Sequence, residues 1–146
     1  MDYELVAEEF LSKIFKLHQE KQGLFTEGLR GETVALIYLE KMGGGVSPCE
    51  ISDKMAVSSA RVAVILNGLE KKGFITRRID SDDRRQIIVD LTEDGLEQAR
   101  KNFQNAKDVY VDMLQFLGEQ DAEAFVRIMG RLIEFAPKII NERRWQ

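Results

Sequence analysis

The sequence predicts a mainly helical fold with one small β-hairpin, in which two short helices are followed by a hairpin and then by long helices. Two observations predict it. Capping signals open a short helix and then a longer one within residues 47–73, and two short strands around a charged loop follow at once. Two helices joined by a tight turn form a helix-turn-helix, and the hairpin after it forms a wing. The predicted class is α+β, as a winged helix-turn-helix.

Length and composition fit one globular domain over residues 1–146. Hydrophobic residues make up 44% of the 146 residues and charged residues 32%, which is typical of a soluble protein. No apolar run reaches the roughly 18 residues needed to cross a bilayer, and the first ten residues are too acidic for a secretion signal. One cysteine excludes an internal disulfide. We therefore expect a cytoplasmic protein with no membrane partner.

The helix-turn-helix is marked by two N-terminal caps. Ser47-Pro48-Cys49-Glu50 has the pattern of a capping box with proline at the first helical position. Ser58 is the cap expected for the second helix, and Gly73 follows its last basic residues. The buried face of this second helix is predicted to carry Val62, Ile65, Leu66 and Leu69.

The wing is predicted from two short strands. Residues 74–79 and 86–91 have strand composition, and the second strand has apolar residues at 87, 89 and 91, a period of two. The six residues 80–85 between them form the predicted loop. Together with a short helix over residues 33–42, these elements define a predicted lobe over residues 33–91.

Long amphipathic helices are predicted outside that lobe. Residues 1–22 and 119–146 carry apolar side chains at helical spacing, and a long connecting helix over 92–117 begins at a Thr92 cap. Pro137 is expected to kink or end the last helix. These helices are more apolar than one small lobe needs, so they are predicted to form a homodimer interface. The alternative is a compact helical cap on a monomer.

Charge is unevenly distributed along the chain. The formal net charge is −4, yet residues 54–85 contain eight Lys or Arg and four Asp or Glu. A basic segment inside an acidic chain is typical of a nucleic-acid footprint. The alternative is a random solvated patch.

Three segments resemble the MarR family of winged helix-turn-helix transcriptional regulators. They are SPCEISDKMAVSSARVAVILNGL over the helix-turn-helix, LEKKGFITR at the entry to the wing, and DRRQIIVDLTEDG from the wing into the next helix. The resemblance implies a homodimeric regulator of transcription, most often a repressor, that binds a double-stranded DNA operator. It implies that the recognition helix enters the major groove while the wing lies along the minor groove.

The resemblance also assigns the DNA contacts. By position, Arg85 is the wing arginine that reaches the minor groove, and Asp83 orients its guanidinium. The remaining candidates lie on the outward face of the second helix or on the wing, and they are Ser58, Ser59, Ala60, Arg61, Ala63, Val64, Asn67, Lys71, Arg77, Arg78 and Arg84. Asp80 and Asp82 are interpreted as turn residues.

The outward face of the recognition helix is poor in side chains that bind bases. Only Arg61 and Asn67 offer strong base contacts, while alanine and valine methyl groups suit thymine methyls. The face therefore indicates an A·T-leaning site of modest specificity or a weakened DNA binder. The second possibility keeps open an alternative function, a protein-interaction module that has lost DNA binding. No nucleophile–base pair, phosphate loop or metal cluster favours an enzyme, a metal or a cofactor.

A ligand site is a further expectation from the resemblance, because the family often binds small aromatic anions. The candidates are Phe15, Phe25, Tyr38 and Met42, with core packing as their alternative role. Cys49 is expected to pack as a small residue, with redox sensing as the alternative. The sequence does not assign roles to His18 or to the C-terminal Arg143-Arg144-Trp145.

Overall fold

The computed structural model describes the backbone of residues 1–19 and 31–143, and the side chains of residues 1–16 and 31–136. Six helices and two strands occur in these residues, in the predicted order. They are α1 (Tyr3–Gln19), α2 (Glu32–Met42), α3 (Pro48–Met55), α4 (Ser59–Lys71), β1 (Ile75–Ile79), β2 (Ile87–Leu91), α5 (Glu93–Leu117) and α6 (Glu119–Arg143). The predicted winged helix-turn-helix fold is confirmed.

By its internal contacts the chain divides into two compact units. The first extends from Met1 to Ala106 and the second begins at Lys107, so the boundary falls within α5. The lobe predicted over residues 33–91 lies wholly inside the first unit.

The first unit has one hydrophobic core, and every winged-helix element contributes to it. The buried side chains are Ala35, Leu36, Leu39, Val46, Ile51, Val62, Ile65, Leu66, Leu69, Ile75, Val89 and Ala99. All four residues predicted for the inner face of the second helix are among them, which confirms the helical register of α4. Burial of this apolar surface fixes α4 against α2, α3 and the hairpin.

Both caps of the helix-turn-helix are formed. Ser47 Oγ accepts from the N–H of Glu50, and the Glu50 carboxylate accepts from the N–H of Ser47 at 2.8 Å. Ser58 Oγ accepts from the N–H of Arg61 at 3.2 Å. The turn between the two helices is made at Ala56, which has a left-handed φ of 52°.

The hairpin is antiparallel, with Ile75 opposite Leu91 and Ile79 opposite Ile87. Its loop is seven residues long, 80–86, and not the predicted six, because the second strand begins at Ile87. The predicted alternation is also incomplete, since Ile88 and Val89 are both buried. Neighbouring residues of a strand point to opposite faces, so both faces are covered at this position.

The wing is joined to α5 by three hydrogen bonds around Thr92. Its hydroxyl donates to the carbonyl of Gly73 at 2.6 Å and accepts from the N–H of Gly95 at 3.0 Å. The Thr92 N–H donates to the carbonyl of Phe74 at 3.1 Å. A β-carbon on Gly95 would lie 1.8 Å from that same carbonyl oxygen, so the approach of α5 requires glycine here.

The terminal helices expose apolar side chains. Every described side chain of α1 is exposed, including Phe10 at 60% and Ile14 at 43%. In the second unit, α6 likewise exposes Leu132 at 51% and Ile133 at 68%. Helix α6 continues through Pro137 to Arg143, so the expectation that proline could end it is corrected. Proline removes one N–H donor, and a helix tolerates that loss when the surrounding turns stay hydrogen-bonded.

Candidate nucleic-acid interface

The outward face of α4 has the composition that the sequence predicted. Its side chains are small near the start of the helix and polar near the end, and all of the predicted candidates on it are exposed: Ser58, Ser59, Ala60, Arg61, Ala63, Val64, Asn67 and Lys71. Their exposure follows from the burial of the opposite face in the core. A helix with one face exposed and the opposite face packed in the core can enter the major groove of DNA.

The first turn of α4 offers main-chain donors. Ser58 occupies the cap and satisfies the N–H of Arg61, while Ser59 and Ala60 are exposed beside it. Unpaired N–H groups and the positive end of the helix dipole favour an anion at this position. A phosphate of a nucleic-acid backbone is a ligand of that type.

The wing loop is folded around two aspartates. Asp80 Oδ1 accepts from the N–H of Asp82 at 3.0 Å, which agrees with the turn role predicted for Asp80. Asp83 Oδ1 accepts from the main-chain N–H of Arg85 at 3.0 Å, and Asp83 Oδ2 accepts from the Gln86 amide at 3.3 Å. The expected pairing of Asp83 with the Arg85 guanidinium is therefore corrected, because the carboxylate holds the loop backbone instead.

Two arginines at the tip of the wing remain available to a ligand. Arg84 and Arg85 are both exposed, and neither guanidinium has an ion-pair partner among the residues whose side chains are described. The same holds for Arg61 and Lys71 on α4 within that part of the chain. These four cations form the free basic set of the interface.

Arg77 differs from this set because its side chain is partly buried and contacts two residues of α4. Its side chain is 26% exposed, and its Nη2 donates to Asn67 Oδ1 at 2.6 Å. Its Nε lies 3.5 Å from the Glu70 carboxylate. This second contact is an ion pair without a hydrogen bond, since Nε is buried and has no hydrogen-bond partner. Arg77 thus ties β1 to α4, whereas the sequence indicated a phosphate contact.

Two further basic residues also have internal partners. Arg78 Nε donates to Asp90 Oδ2 at 2.7 Å, across the hairpin. Asp90 Oδ1 accepts from the N–H of Gly45 at 2.8 Å. Lys72 forms an ion pair with Glu32, which links α4 to α2. These contacts orient the hairpin and the recognition helix, so Arg78 and Lys72 are less available to phosphate than their sequence suggested.

The Asp90 contacts change its acidity. The hydrogen bond from Arg78 lowers the pKa of Asp90 below its ordinary value, and the Gly45 N–H acts in the same direction. Both donors stabilise the carboxylate form over the protonated form. Asp90 therefore stays charged and keeps Arg78 against the hairpin at neutral pH.

The predicted ligand residues are not assembled into one site by the described part of the structure. Tyr38 is half-buried against the core, and Met42, one turn later on α2, is 55% exposed. Phe15 lines a pocket whose described lining, Glu8, Leu11, Ser12 and Lys16, also belongs to α1. Phe25 and the side chains of His18 and Arg143, together with Arg144 and Trp145, lie outside the described residues.

Cys49 departs from its predicted packing role. It is exposed in the first turn of α3, because the buried position of that short helix is taken by Ile51. Cys49 lines a groove of about 730 Å³ between α3 and the loop end of the wing, together with Ser47, Pro48, Glu50, Arg85, Gln86 and Ile87.

Among the described helices, none is long and apolar enough to cross a membrane. Within the same residues, no group of three His, Cys, Asp or Glu side chains is placed to hold a metal ion.

An exposed helix followed by a hairpin with exposed arginines defines a winged helix-turn-helix fold, which many DNA-binding proteins share. A sequence model of the MarR family matches residues 30–87. This match covers less than half of the 146 residues, and over that segment the chain resembles the MarR family of transcription regulators.

Known relatives and solved structures agree with this assignment. The HTH-type transcriptional repressor YetL of Bacillus subtilis is 26% identical over 89 residues, which span 61% of this chain and 53% of YetL, about half its length. A MarR transcriptional regulator from Methanosarcina mazei superposes with a TM-score of 0.71 at 21% identity, over 90% of this chain and 99% of that one. FabT of Streptococcus pneumoniae, solved in complex with DNA, gives a TM-score of 0.68 at 25% identity, over 94% and 99%.

The sequence reasoning missed the internal contacts of the interface. Asn67 and Arg77 were predicted as separate DNA contacts, although Asn67 and Glu70 are one turn apart on α4 and Arg77 contacts both from the next strand. The short connection between α4 and β1 could have predicted these contacts, because it makes β1 run back beside the end of α4.

Proposed function

We propose that this protein acts as a homodimeric, sequence-specific repressor of transcription in the cytoplasm, and that it binds double-stranded DNA through α4 and the wing. One observation carries the proposal. The exposed face of α4 and the tip of the wing belong to one unit with a single hydrophobic core, and together they present four cations that have no ion-pair partner among the described side chains. In such an arrangement the helix contacts base edges while the wing arginines contact the phosphates or the minor groove.

The recognition face supports a preference for A·T-rich sites. Ala60, Ala63 and the 61%-exposed Val64 present methyl groups that suit the methyl of thymine. An arginine inserted into the minor groove gains from the stronger negative potential of narrow A·T tracts. Arg85 is the residue proposed for this contact, with Arg84 beside it on phosphate.

The homodimer is supported by the exposed apolar helices. A soluble monomer rarely leaves whole helical stripes open to water. Apolar side chains of α1 and of α6 are exposed, among them Phe10, Ile14, Leu132 and Ile133. A second copy of the chain would bury these stripes and place two winged lobes on a two-fold axis. Such a dimer fits a near-palindromic operator.

The protein is further proposed to repress transcription and to be released from DNA by a ligand. Relatives named as repressors, such as YetL and MdtR of Bacillus subtilis, support repression over activation. A small aromatic or anionic ligand is proposed to bind near Tyr38 and Met42, where an aromatic ring and a flexible thioether lie one turn apart. Such a ligand would weaken DNA binding if it preferred a conformation with the wrong half-site spacing.

The test begins with selection of DNA from a random pool by the purified protein, followed by an affinity measurement on the enriched sequence. The proposal predicts a palindromic or near-palindromic consensus bound by two chains. The matched variants are Arg85→Ala and Glu93→Ala, because Glu93 is an exposed charged residue on α5, outside the proposed interface. Only the first should lose affinity. A protein that enriches no sequence would support the alternative, a winged-helix module that binds another protein through the exposed face of α4.

A further inference from the structure

We propose that Arg77 is a positioning residue that presents Asn67 to DNA as a hydrogen-bond donor. At the base position that faces Asn67, the protein then prefers a base that presents hydrogen-bond acceptors, which is guanine. It does not prefer adenine, which presents a donor next to an acceptor. This inference rests on the proposed DNA binding by α4, and it concerns the specificity of that contact.

The orientation of the Asn67 amide is fixed by chemistry. Arginine has five N–H donors and no acceptor, so only the carbonyl oxygen of the amide can face it. The 2.6 Å contact between Arg77 Nη2 and Asn67 Oδ1 therefore assigns the oxygen to the side of β1. The Nδ2 group is left at the other end of the planar amide, on the exposed face of α4.

Arg77 is itself held in place. Its side chain is only 26% exposed, its Nε is buried, and the Glu70 carboxylate lies 3.5 Å from that nitrogen. Glu70 and Asn67 both project from α4, so the guanidinium is held between two groups of the same helix. Reorienting Asn67 would break the short hydrogen bond and leave a partly buried cation with fewer partners, which is unfavourable.

The charge of Arg77 also changes what the Asn67 oxygen can accept. A carbonyl oxygen has two lone pairs, so one remains after Arg77 has bound. A cation at this distance polarises the oxygen and repels the partly positive amino hydrogens of adenine N6. Asparagine normally recognises adenine by accepting from N6 and donating to N7, and the first half of that pair is weakened here.

The remaining chemistry of the major groove decides the preference. Guanine presents two acceptors, O6 and N7, whereas cytosine presents only an amino donor. An Nδ2 donor next to a guanidinium therefore favours guanine, with thymine O4 or adenine N7 as weaker single acceptors. The small neighbours of Asn67, among them Ala63 one turn earlier, leave the amide room to reach the base edge.

The experiment compares sequence preferences selected from a random DNA pool by the wild type and three variants. Asn67→Ala identifies the base position that depends on the amide. At that position the wild type should prefer guanine, and Arg77→Met should move the preference toward adenine by at least about fivefold relative to guanine, since Asn67 regains its acceptor. Arg78→Met is the control, because Arg78 is the neighbouring strand arginine but binds Asp90. It should leave the preference unchanged.

A further variant keeps the test valid if Arg77→Met folds poorly. Asn67→Asp retains an acceptor for Arg77 and removes the donor, so it should abolish the guanine preference. The inference is overturned if the wild type selects adenine at the position that depends on Asn67, if no position depends on Asn67, or if Arg77→Met and Asn67→Asp both keep guanine. Failure of the proposed function looks different, because the wild type would then enrich no consensus at all, and the inference would fail with it.

Discussion

The carboxylate of Asp83 accepts a hydrogen bond from the main-chain N–H of Arg85 at 3.0 Å. This contact closes an Asx turn at the tip of the wing, and the second carboxylate oxygen accepts from the Gln86 amide at 3.3 Å. Asp83 therefore orders the segment of chain that carries Arg84 and Arg85. The Asp83 carboxylate stabilises the conformation of the loop. Its negative charge would by itself weaken DNA binding, because it would repel a nearby phosphate.

Replacement of these residues should weaken DNA binding unequally. Arg85→Ala removes a groove contact and should cost about 1–3 kcal/mol of binding free energy. Asp83→Ala should cost less, and the double variant should bind more weakly than Arg85→Ala, because the disordered loop also displaces Arg84. Affinity measurements on all three test this. Asp82→Ala is the control, because only the main-chain N–H of Asp82 takes part in the turn. A double variant that equals Arg85→Ala would show that Asp83 acts on the guanidinium alone.

The contact between Gly95 and Phe74 predicts a loss of stability on adding one methyl group. A β-carbon at Gly95 would meet the Phe74 carbonyl oxygen at 1.8 Å, and that oxygen is held by the N–H of Thr92. Gly95→Ala should lower the free energy of unfolding by about 1–3 kcal/mol or more, as overpacking does. Denaturant unfolding measures it. Gly130→Ala, where the added carbon has nothing within 4 Å, should be neutral or stabilising. If Gly95→Ala and Gly130→Ala changed the free energy of unfolding equally, the close approach of Gly95 to the Phe74 carbonyl would not be the cause.

Asp90 predicts a pH-dependent part of the stability. Its pKa is lower in the folded protein because of Arg78 and Gly45, so its contribution is fully present above the unfolded pKa, about 4. The contribution is lost as pH falls through the folded pKa. Asp90→Asn should therefore destabilise most near neutral pH, and the gap from wild type should narrow below about pH 4. Urea unfolding at several pH values measures that gap. If the difference in free energy of unfolding between wild type and Asp90→Asn did not change with pH, Asp90 would stabilise the fold through packing or neutral hydrogen bonds and not through its charge.

The exposed stripe of α1 predicts the oligomeric state. Phe10→Asp with Ile14→Asp should convert the proposed dimer to monomers in sedimentation velocity, because two buried charges would be unpaired at the interface. No described side chain of α1 belongs to the core of the first unit, so the winged lobe should remain folded. Ser12→Asp is the control, since Ser12 lies on the opposite side of the helix from Phe10. A double variant that sediments as wild type would place the dimer contact elsewhere.

The sequence was most informative where local chemistry decides structure. The caps at Ser47, Ser58 and Thr92 all form as predicted, and the inner face of α4 has the predicted register. Capping and periodicity are properties of short segments, so they can be inferred without knowing the fold. The exposed side of α4, which is the side proposed to face DNA, follows directly, because it is the face that the core leaves open.

The errors concern contacts between segments. Arg77 and Arg78 look alike in sequence, yet one binds across to α4 and the other across the hairpin to Asp90. Successive strand residues point to opposite faces, so each arginine meets a different surface. The partner of Asp83 was wrong for a related reason, because a side-chain carboxylate in a tight loop reaches a nearby main-chain N–H more readily than a long side chain.

The salt dependence of DNA affinity is the most direct test of DNA binding through α4 and the wing. In the proposed interface, Arg61, Lys71, Arg84 and Arg85 are the cations without an ion-pair partner among the described side chains, which gives about eight phosphate contacts per dimer and a slope of log affinity against log salt near −7. Affinity for the selected sequence should then fall about 10⁴-fold between roughly 50 and 200 mM salt. Arg84→Ala should flatten the slope by about one per lobe, while Arg77→Met should leave it nearly unchanged. A flat salt response of the wild type, or a slope that depends on Arg77 and not on Arg84, would contradict the interface described for α4 and the wing.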